Sequence, residues 1–295
     1  MIHAIILVGL IAIGYLIIKS GLFRREDVGV LTRLVFYVTL PATVIGALTS
    51  VSISYDWIYL PLSSLLVGMA CYGLSYLCYR RFGMGKRRGG AFIIGSSSMN
   101  MGFFMYPFFS SYLGNEGLAR IAFFDLGQVF LLYGVGYYVA ATYGENRGGV
   151  VKKVLSFPPL YALLIGLGLN LTGTSLGIFE DLVSTLGSAT IPLAMIVMGM
   201  SMELPAGSRS FSQIASALGI RFVFSFLAAG ACVFLFGLQE LEALTVMIGS
   251  CAPPAIMTLI FSIEEGLDTA FTAFLLTIGT LVGIGLTTAL FMLLA

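Results

Sequence analysis

The chain has 295 residues, of which 58% are hydrophobic and 10% are charged, and its formal net charge at pH 7 is +1. With a mean hydropathy of +1.00, it carries too much apolar surface for a water-soluble domain. Composition therefore predicts an integral protein of the lipid bilayer, without a nucleic-acid partner. Because His3 is the single histidine, haem, histidine-based metal and serine hydrolase sites are excluded, and we expect neither a metal nor a catalytic residue.

The chain contains ten apolar segments, each about as long as the ~20 residues that cross a bilayer as a helix. The first segment lacks the positively charged start and the cleavage site of a signal peptide, so it is predicted to be a retained span. An all-α membrane fold follows from these continuously apolar runs. The predicted spans are residues 2–18, 30–50, 57–79, 89–112, 118–142, 154–173, 182–203, 213–237, 242–263 and 268–294.

Lysine and arginine residues predict the orientation of the chain. Twelve of them lie in the loops that follow spans one, three, five and seven, whereas the opposite side carries only Arg120. Because positively charged loops stay in the cytoplasm, both termini are predicted to lie on the extracytoplasmic side of the plasma membrane.

Prolines recur in the two halves of the chain at a nearly constant distance. Pro41 and Pro192 are 151 positions apart, and Pro107 lies 146 and 147 positions before Pro253 and Pro254. Since proline disrupts a membrane helix, Pro41 and Pro192 are predicted helix breaks. The spacing indicates two five-span repeats, residues 1–145 and 154–295, joined by a linker at 146–153. Because five is odd, the second repeat is predicted to be inverted, as in many secondary transporters.

The fourth and ninth spans are the least regular. Residues 95–102 read Gly-Ser-Ser-Ser-Met-Asn-Met-Gly, and residues 249–254 read Gly-Ser-Cys-Ala-Pro-Pro. Non-helical backbone at this depth is tolerated only when it is buried in protein or lines a cavity, so the two breaks are predicted to meet and frame a site. The alternative is that glycine and serine merely allow close helix packing.

Polar side chains inside predicted spans include Asp125, Gln128 and Arg221. Asp125 and Gln128 share a face of the fifth span, where Asp125 could exchange a coupling proton or form a static hydrogen bond to a neighbouring helix. Arg221 lies about eight residues into the eighth span, and a side chain that snorkels to the interface is favoured over a counter-ion for the substrate.

These residues resemble the auxin efflux carrier family, which includes the plant PIN carriers and bacterial malate or malonate permeases. The motifs that carry the resemblance are Leu40-Pro41 after Val35-Phe36-Tyr37, Asn100 followed by Pro107, Ile191-Pro192-Leu193 with Gly199, and Ala252-Pro253-Pro254. The resemblance implies ten helices in a 5+5 inverted repeat with broken, crossing helices 4 and 9. It also implies elevator-type movement of a transport part against a scaffold part, with organic anions as substrates. The substrate-binding residues that it implies are Asn100, Pro107, Ser250, Cys251, Pro253 and Pro254.

The predicted function is secondary active transport of a small organic anion by alternating access. The short segment between the two halves, in contrast to the long loop of the plant carriers, favours a prokaryotic protein and a small carboxylate such as malate over auxin. A channel or uniporter of the same fold and a ligand-sensing membrane receptor remain as alternatives. No cofactor is expected, H⁺ and Na⁺ are both open as coupling ions, and family relatives suggest a homodimer.

Overall fold

The computed structural model describes residues 2–144, 158–202 and 211–294, and these ranges are helical apart from turns, short loops and one isolated β-bridge. The predicted linker at 146–153 lies outside the described residues. Within the described ranges, four π-helical stretches continue neighbouring α-helices: Val35–Thr39, Met101–Met105, Leu131–Gly136 and Gly219–Phe224. The α-helices are α1 (Ile2–Lys19), α2 (Arg25–Leu34), α3 (Leu40–Thr49), α4 (Tyr59–Phe82), α5 (Lys86–Ser97), α6 (Tyr106–Phe130), α7 (Tyr137–Tyr143), α8 (Pro158–Thr172), α9 (Glu180–Ser188), α10 (Thr190–Met200), α11 (Phe211–Leu218), α12 (Ser225–Phe236), α13 (Glu240–Gly249), α14 (Met257–Glu264) and α15 (Thr269–Leu294).

Several helices are long and apolar enough to cross a membrane. In the described ranges there are six of these, and two shorter apolar helices, Ile5–Lys19 and Leu160–Thr172, accompany them. The chain is therefore a multi-pass, all-helical membrane protein, and its ten-helix count stays a prediction. Four predicted spans are therefore not among the six: the first and the sixth correspond to the two shorter helices, and the fourth and the ninth are divided into shorter pieces. The six spans are Asp27–Thr49, Tyr55–Phe82, Met101–Tyr143, Gly177–Met200, Phe211–Phe236 and Thr269–Leu294.

Pro41 does not end its helix. The π-helical stretch Val35–Thr39 precedes it, and α3 continues directly from Leu40 to Thr49. A π-helical turn shifts the hydrogen-bond pattern by one residue, which accommodates the missing proline N–H without a sharp break. Pro192 lies in the first turn of α10, where an N–H has no helical partner, and a single turn residue, Ala189, separates α10 from α9.

The described residues form two compact units that alternate along the chain. Unit 1 consists of Met1–Ile58, Met101–Phe123 and Phe157–Ser201, as far as these are described. Unit 2 consists, with the same restriction, of Tyr59–Asn100, Phe124–Ser156 and Met202–Ala295. Each predicted repeat contributes to both units, so the units are not the two sequence halves, and the repeat itself stays a prediction.

Unit 1 is held together by close contacts between helix backbones. A Cβ atom on Gly14 of α1 would collide with the Ile196 carbonyl of α10, and one on Gly199 of α10 would collide with the Ile11 carbonyl of α1. Small residues at such contacts let membrane helices approach closely and gain dispersion energy. The apolar side chains facing away from the helix contacts, such as Ile178, are exposed, as a lipid environment requires.

Thr43 joins α3 to the helix pair α9 and α10 inside unit 1. Its hydroxyl oxygen lies 2.6 Å from that of Thr190 and 3.1 Å from the Gly187 carbonyl oxygen. Thr43→Val is expected to lower the free energy of unfolding by about 1 kcal/mol, because interhelical hydrogen bonds in membranes contribute about that much. Thermal unfolding in detergent checks this. Thr49→Val is the control, since the Thr49 hydroxyl donates only to Ile45 and Gly46 of its own helix; equal losses in the two variants would contradict the assignment.

Candidate functional site

Two interruptions of the helical backbone lie in unit 2. The helix α5 ends at Ser97, and Ser98 is extended with φ −83° and ψ 135°. In the second interruption, α13 ends at Gly249 and α14 begins at Met257. Pro253 and Pro254 explain this gap, because each lacks a backbone N–H and disfavours helical geometry in the preceding residue.

The two interruptions bind each other through the backbone. Met99 and Pro254 form an antiparallel bridge. The Asn100 N–H donates to the Pro253 carbonyl at 2.9 Å, and the Ala255 N–H donates to the Ser98 carbonyl at 3.1 Å. This pairing satisfies backbone groups that leave the helices in a buried region, which an apolar environment makes obligatory. We call this paired segment, residues 98–100 and 250–256, the double break.

Arg221 contacts the double break and is fully buried, with 0% of its surface exposed. Its Nη1 donates to the Ser97 carbonyl at 2.6 Å, and its Nη2 donates to the Ser250 carbonyl at 2.9 Å and to the Ser225 hydroxyl at 2.5 Å. The expectation that Arg221 snorkels to the interface is therefore wrong. The side chain turns inward because both helix ends offer it carbonyl oxygens with unused acceptor capacity.

The helix α4 supports the first break with hydroxyl groups. The Tyr72 hydroxyl lies 2.8 Å from that of Ser98, and the Ser75 hydroxyl lies 2.9 Å from that of Ser97. In the second break, the Ser225 hydroxyl of α12 donates to the Ser250 carbonyl at 2.6 Å. Ser75 and Ser225 are 150 positions apart, which is within the range of 146 to 151 positions that relates the prolines. Sequence reasoning missed this pair, although the spacing would have revealed it.

Polar groups at the double break are left without partners. Among the described residues, the Asn100 Nδ2, the Ser250 hydroxyl oxygen and the Arg221 Nε are buried and form no hydrogen bond. Asn100 is 4% exposed and Ser250 is 0% exposed. Since buried polar atoms are nearly always hydrogen-bonded, such a group of unsatisfied donors indicates a place where a ligand with acceptor oxygens binds.

The structure brings together some of the predicted substrate-binding residues and not others. Asn100, Ser250, Cys251, Pro253 and Pro254 all belong to the double break, and each is buried. Pro107 belongs to unit 1 instead, where it is the second residue of α6.

The polar pair of the fifth span lies in the part of α6 that belongs to unit 2. Asp125 is buried with 7% exposure. The Gln128 Nε2 donates to the carbonyl and the hydroxyl of Ser64 in α4, at 3.1 and 3.2 Å. Gln128 thus ties α6 to α4, while its Oε1 is buried and has no partner among the described residues. Arg120 belongs to unit 1 and pairs with Glu116.

Unit 1 has a separate, open cavity of about 470 Å³. Its walls come from α3, α9 and the first part of α6. Hydroxyl and amide groups and one carboxylate line it, including Thr43, Ser50, Asn115, Glu180 and Ser184. None of the predicted substrate-binding residues lies in this cavity.

Known sequences resemble the chain over most of its length. The profile of a family described as membrane transport protein matches residues 1–150 and 147–292. An uncharacterized transporter of Methanocaldococcus jannaschii is 30% identical over 268 residues, which is 88% of this chain and 87% of that protein. An uncharacterized transporter of Methanothermobacter thermautotrophicus is 27% identical over 261 residues, covering 88% of this chain and 86% of that protein.

The family assignment agrees with the motifs at Pro41, Asn100, Pro192 and Pro253 that suggested it, and it excludes an enzyme. The chain belongs to the auxin efflux carrier family of membrane transport proteins.

Proposed function

We propose that this transporter is a secondary carrier that moves a small organic anion across the prokaryotic plasma membrane by alternating access. The observation that carries the proposal is the double break, in which the unpartnered donors of Asn100 and Ser250 are buried beside paired, non-helical backbone. Broken helices that meet in this way form the substrate sites of many secondary transporters. In our proposal, unit 2 is the transport part, because it contains both breaks.

The residues divide into binding and positioning roles. Asn100 and Ser250 donate hydrogen bonds to a carboxylate of the substrate, and Cys251 lines the same site. Pro253 and Pro254 keep the second segment non-helical, so the carbonyl of Pro253 is available to the Asn100 N–H. The family resemblance is the support for Pro107 as a further part of the site. Asp125 and Gln128 are proposed to serve coupling or helix packing.

The proposal includes the ten-helix, 5+5 inverted repeat with both termini outside the cytoplasm. Its support is the recurrence of the prolines and of Ser75 and Ser225 at similar offsets, together with the distribution of positive charge. The archaeal relatives support a prokaryotic membrane. A homodimer is proposed by analogy with the family.

Asn100→Ala is expected to weaken carboxylate binding by about 10-fold to 100-fold, since a hydrogen bond to a charged group contributes about 1.5–3 kcal/mol. Because the Asn100 Nδ2 has no partner, its loss should cost little stability. The measurement is ligand-induced thermal stabilisation of detergent-purified protein with malate, malonate and indole-3-acetate, and with their uncharged amides as controls. Asn115→Ala in the separate unit 1 cavity is the matched variant and should bind as the wild type does.

Two outcomes would contradict the proposal. Stabilisation by the amides and not by the carboxylates would overturn the anionic substrate class. Unchanged carboxylate binding in Asn100→Ala would remove Asn100 from the site. Proteoliposome counterflow then separates a carrier from a channel, because only a carrier shows saturable uptake that is accelerated by preloaded substrate.

A further inference from the structure

Arg221 connects the C-terminal ends of two broken helices. The Ser97 carbonyl belongs to the last residue of α5, and the Ser250 carbonyl belongs to the residue that caps α13. The C-terminus of a helix carries a partial negative charge, so each end attracts a cation. The guanidinium group of Arg221 binds both ends at once, at 2.6 and 2.9 Å.

Carbonyl oxygens at helix ends, such as those of Ser97 and Ser250, also bind metal cations in other transporters. Unwound carbonyls and C-terminal ends of half-helices are the groups with which broken-helix carriers coordinate a coupling Na⁺. In this chain, the guanidinium group of Arg221 donates hydrogen bonds to those carbonyl oxygens instead. The cation at this place is therefore permanent and cannot be exchanged with solution.

The charge of Arg221 is not balanced by an acidic side chain. In the part of the chain that the structure describes, its hydrogen bonds go to two carbonyls and one hydroxyl, and no carboxylate forms an ion pair with it. Arg88 and Arg120, by contrast, pair with Asp268 and Glu116. A buried charge without a counter-charge is costly, so an anion bound nearby is stabilised by it.

The double break places such an anion close to Arg221. Ser250 provides both one of the binding donors and a carbonyl that Arg221 binds. Asn100 follows Ser97, whose carbonyl Arg221 also binds, by three positions, which span at most about 11 Å. The anion therefore lies on the order of 10 Å from the guanidinium. At that distance and an effective dielectric constant of about 20, the attraction between two unit charges corresponds to about a 15-fold change in Kd.

We propose that Arg221 is the fixed counter-cation of the transported anion and takes the place of a co-bound Na⁺. The inference rests on the proposed function, since it requires that a carboxylate binds at Asn100 and Ser250. A sodium symporter takes up its counter-charge together with each substrate, whereas here the charge stays in the protein. Substrate binding is consequently independent of Na⁺.

The wild-type protein provides the first test. Its thermal stability is titrated with malate, malonate and indole-3-acetate in NaCl and, in parallel, in choline chloride of equal ionic strength. The expected result is the same Kd in both salts for any carboxylate that binds. A Kd that falls when Na⁺ is present, or a melting temperature that Na⁺ alone raises, would overturn the proposal.

Charge variants provide the second test. Arg221→Gln is expected to raise the Kd of the carboxylate about 15-fold, whereas Arg221→Lys keeps the charge and should stay within about 3-fold of the wild type. Both variants lose hydrogen bonds to the helix ends and are expected to melt at lower temperature. A purely structural role would lower the melting temperature of both without separating their Kd values, and that result would contradict the proposal.

Arg120→Gln is the matched control, because it removes a positive charge that is paired with Glu116 in unit 1. Its Kd for the carboxylate should equal that of the wild type. If none of the three carboxylates stabilises the wild type, the proposed substrate class fails, and with it the role of Arg221 as counter-cation; the sodium titration without carboxylate then tests only whether Arg221 takes the place of Na⁺. A rise of the melting temperature that is specific for Na⁺ contradicts a permanent cation, and its absence supports one.

Discussion

Alanine at Gly14 or at Gly199 is expected to destabilise the protein by about 3 kcal/mol, at the upper end of what overpacking usually costs. The added Cβ would overlap backbone atoms of the facing helix, Ile196 in one case and Ile11 in the other. Backbone cannot rotate away as a flexible side chain does. The helices α1 and α10 must therefore move apart, and the close contact along them is lost.

The two positions also predict non-additivity. Once the first alanine has separated α1 from α10, the second should cost much less, so the double variant should be only slightly less stable than either single variant. Thermal unfolding in detergent measures all three.

Gly9→Ala is the matched control for this prediction. Gly9 lies in the same helix as Gly14, and an added Cβ there meets no atom within 4 Å. Its stability should equal that of the wild type or exceed it slightly, since alanine favours a helix by up to about 1 kcal/mol relative to glycine. If Gly14→Ala were as stable as Gly9→Ala, the backbone contact between α1 and α10 would not exist.

Gly279→Ala is expected to disturb the double break directly, through the last helix of unit 2. A Cβ on Gly279 would lie 2.5 Å from the Pro254 Cδ and 2.9 Å from its Cγ. The proline ring is rigid and belongs to the backbone, so it can move only if the segment with Ala255 moves as well. We expect a loss of about 1–3 kcal/mol in stability and at least a 10-fold weaker binding of carboxylate.

The helix α15 offers a graded series for the measurement. A Cβ on Gly283 would lie 3.1 Å from the Pro253 Cβ, which is a milder overlap, and a Cβ on Gly285 would meet no atom within 4 Å. Melting temperature and carboxylate affinity should both rank Gly279→Ala below Gly283→Ala, and Gly283→Ala below Gly285→Ala. If the three variants bound carboxylate equally well, the packing of α15 on the two prolines would have no part in shaping the site.

Local sequence pattern was sufficient for the class of protein and for the positions of the two interruptions in unit 2. Apolar segments of membrane-spanning length predict an all-helical membrane protein because no other spanning element satisfies its own backbone in lipid. The serines before Met99 and the prolines before Ala255 mark interruptions for the same local reason, which is their poor fit to a helix interior. The motif at Asn100 and the prolines also sufficed to indicate the family.

Pro41 illustrates where a local signal is ambiguous. A proline in an apolar segment is compatible with a full break, a kink or a π-helical turn. The structure has the π-helical turn, with α3 continuing beyond it. The predicted number of spans has the same ambiguity. Whether an irregular residue ends a helix or only bends it determines the helix lengths, and therefore how many helices are long enough to cross the membrane.

The sequence by itself determined which residues could take part in the site, and only the tertiary structure decided how they are connected. Arg221 has the reach to snorkel to the interface, and nothing near it in the chain opposes that conformation. Its actual partners, Ser97 and Ser250, are 124 and 29 positions away. Their carbonyls are available only because two helices end side by side and leave acceptors that a buried cation can satisfy. Such a contact is a property of the folded chain, because the energy that favours it arises only when distant segments bury one another.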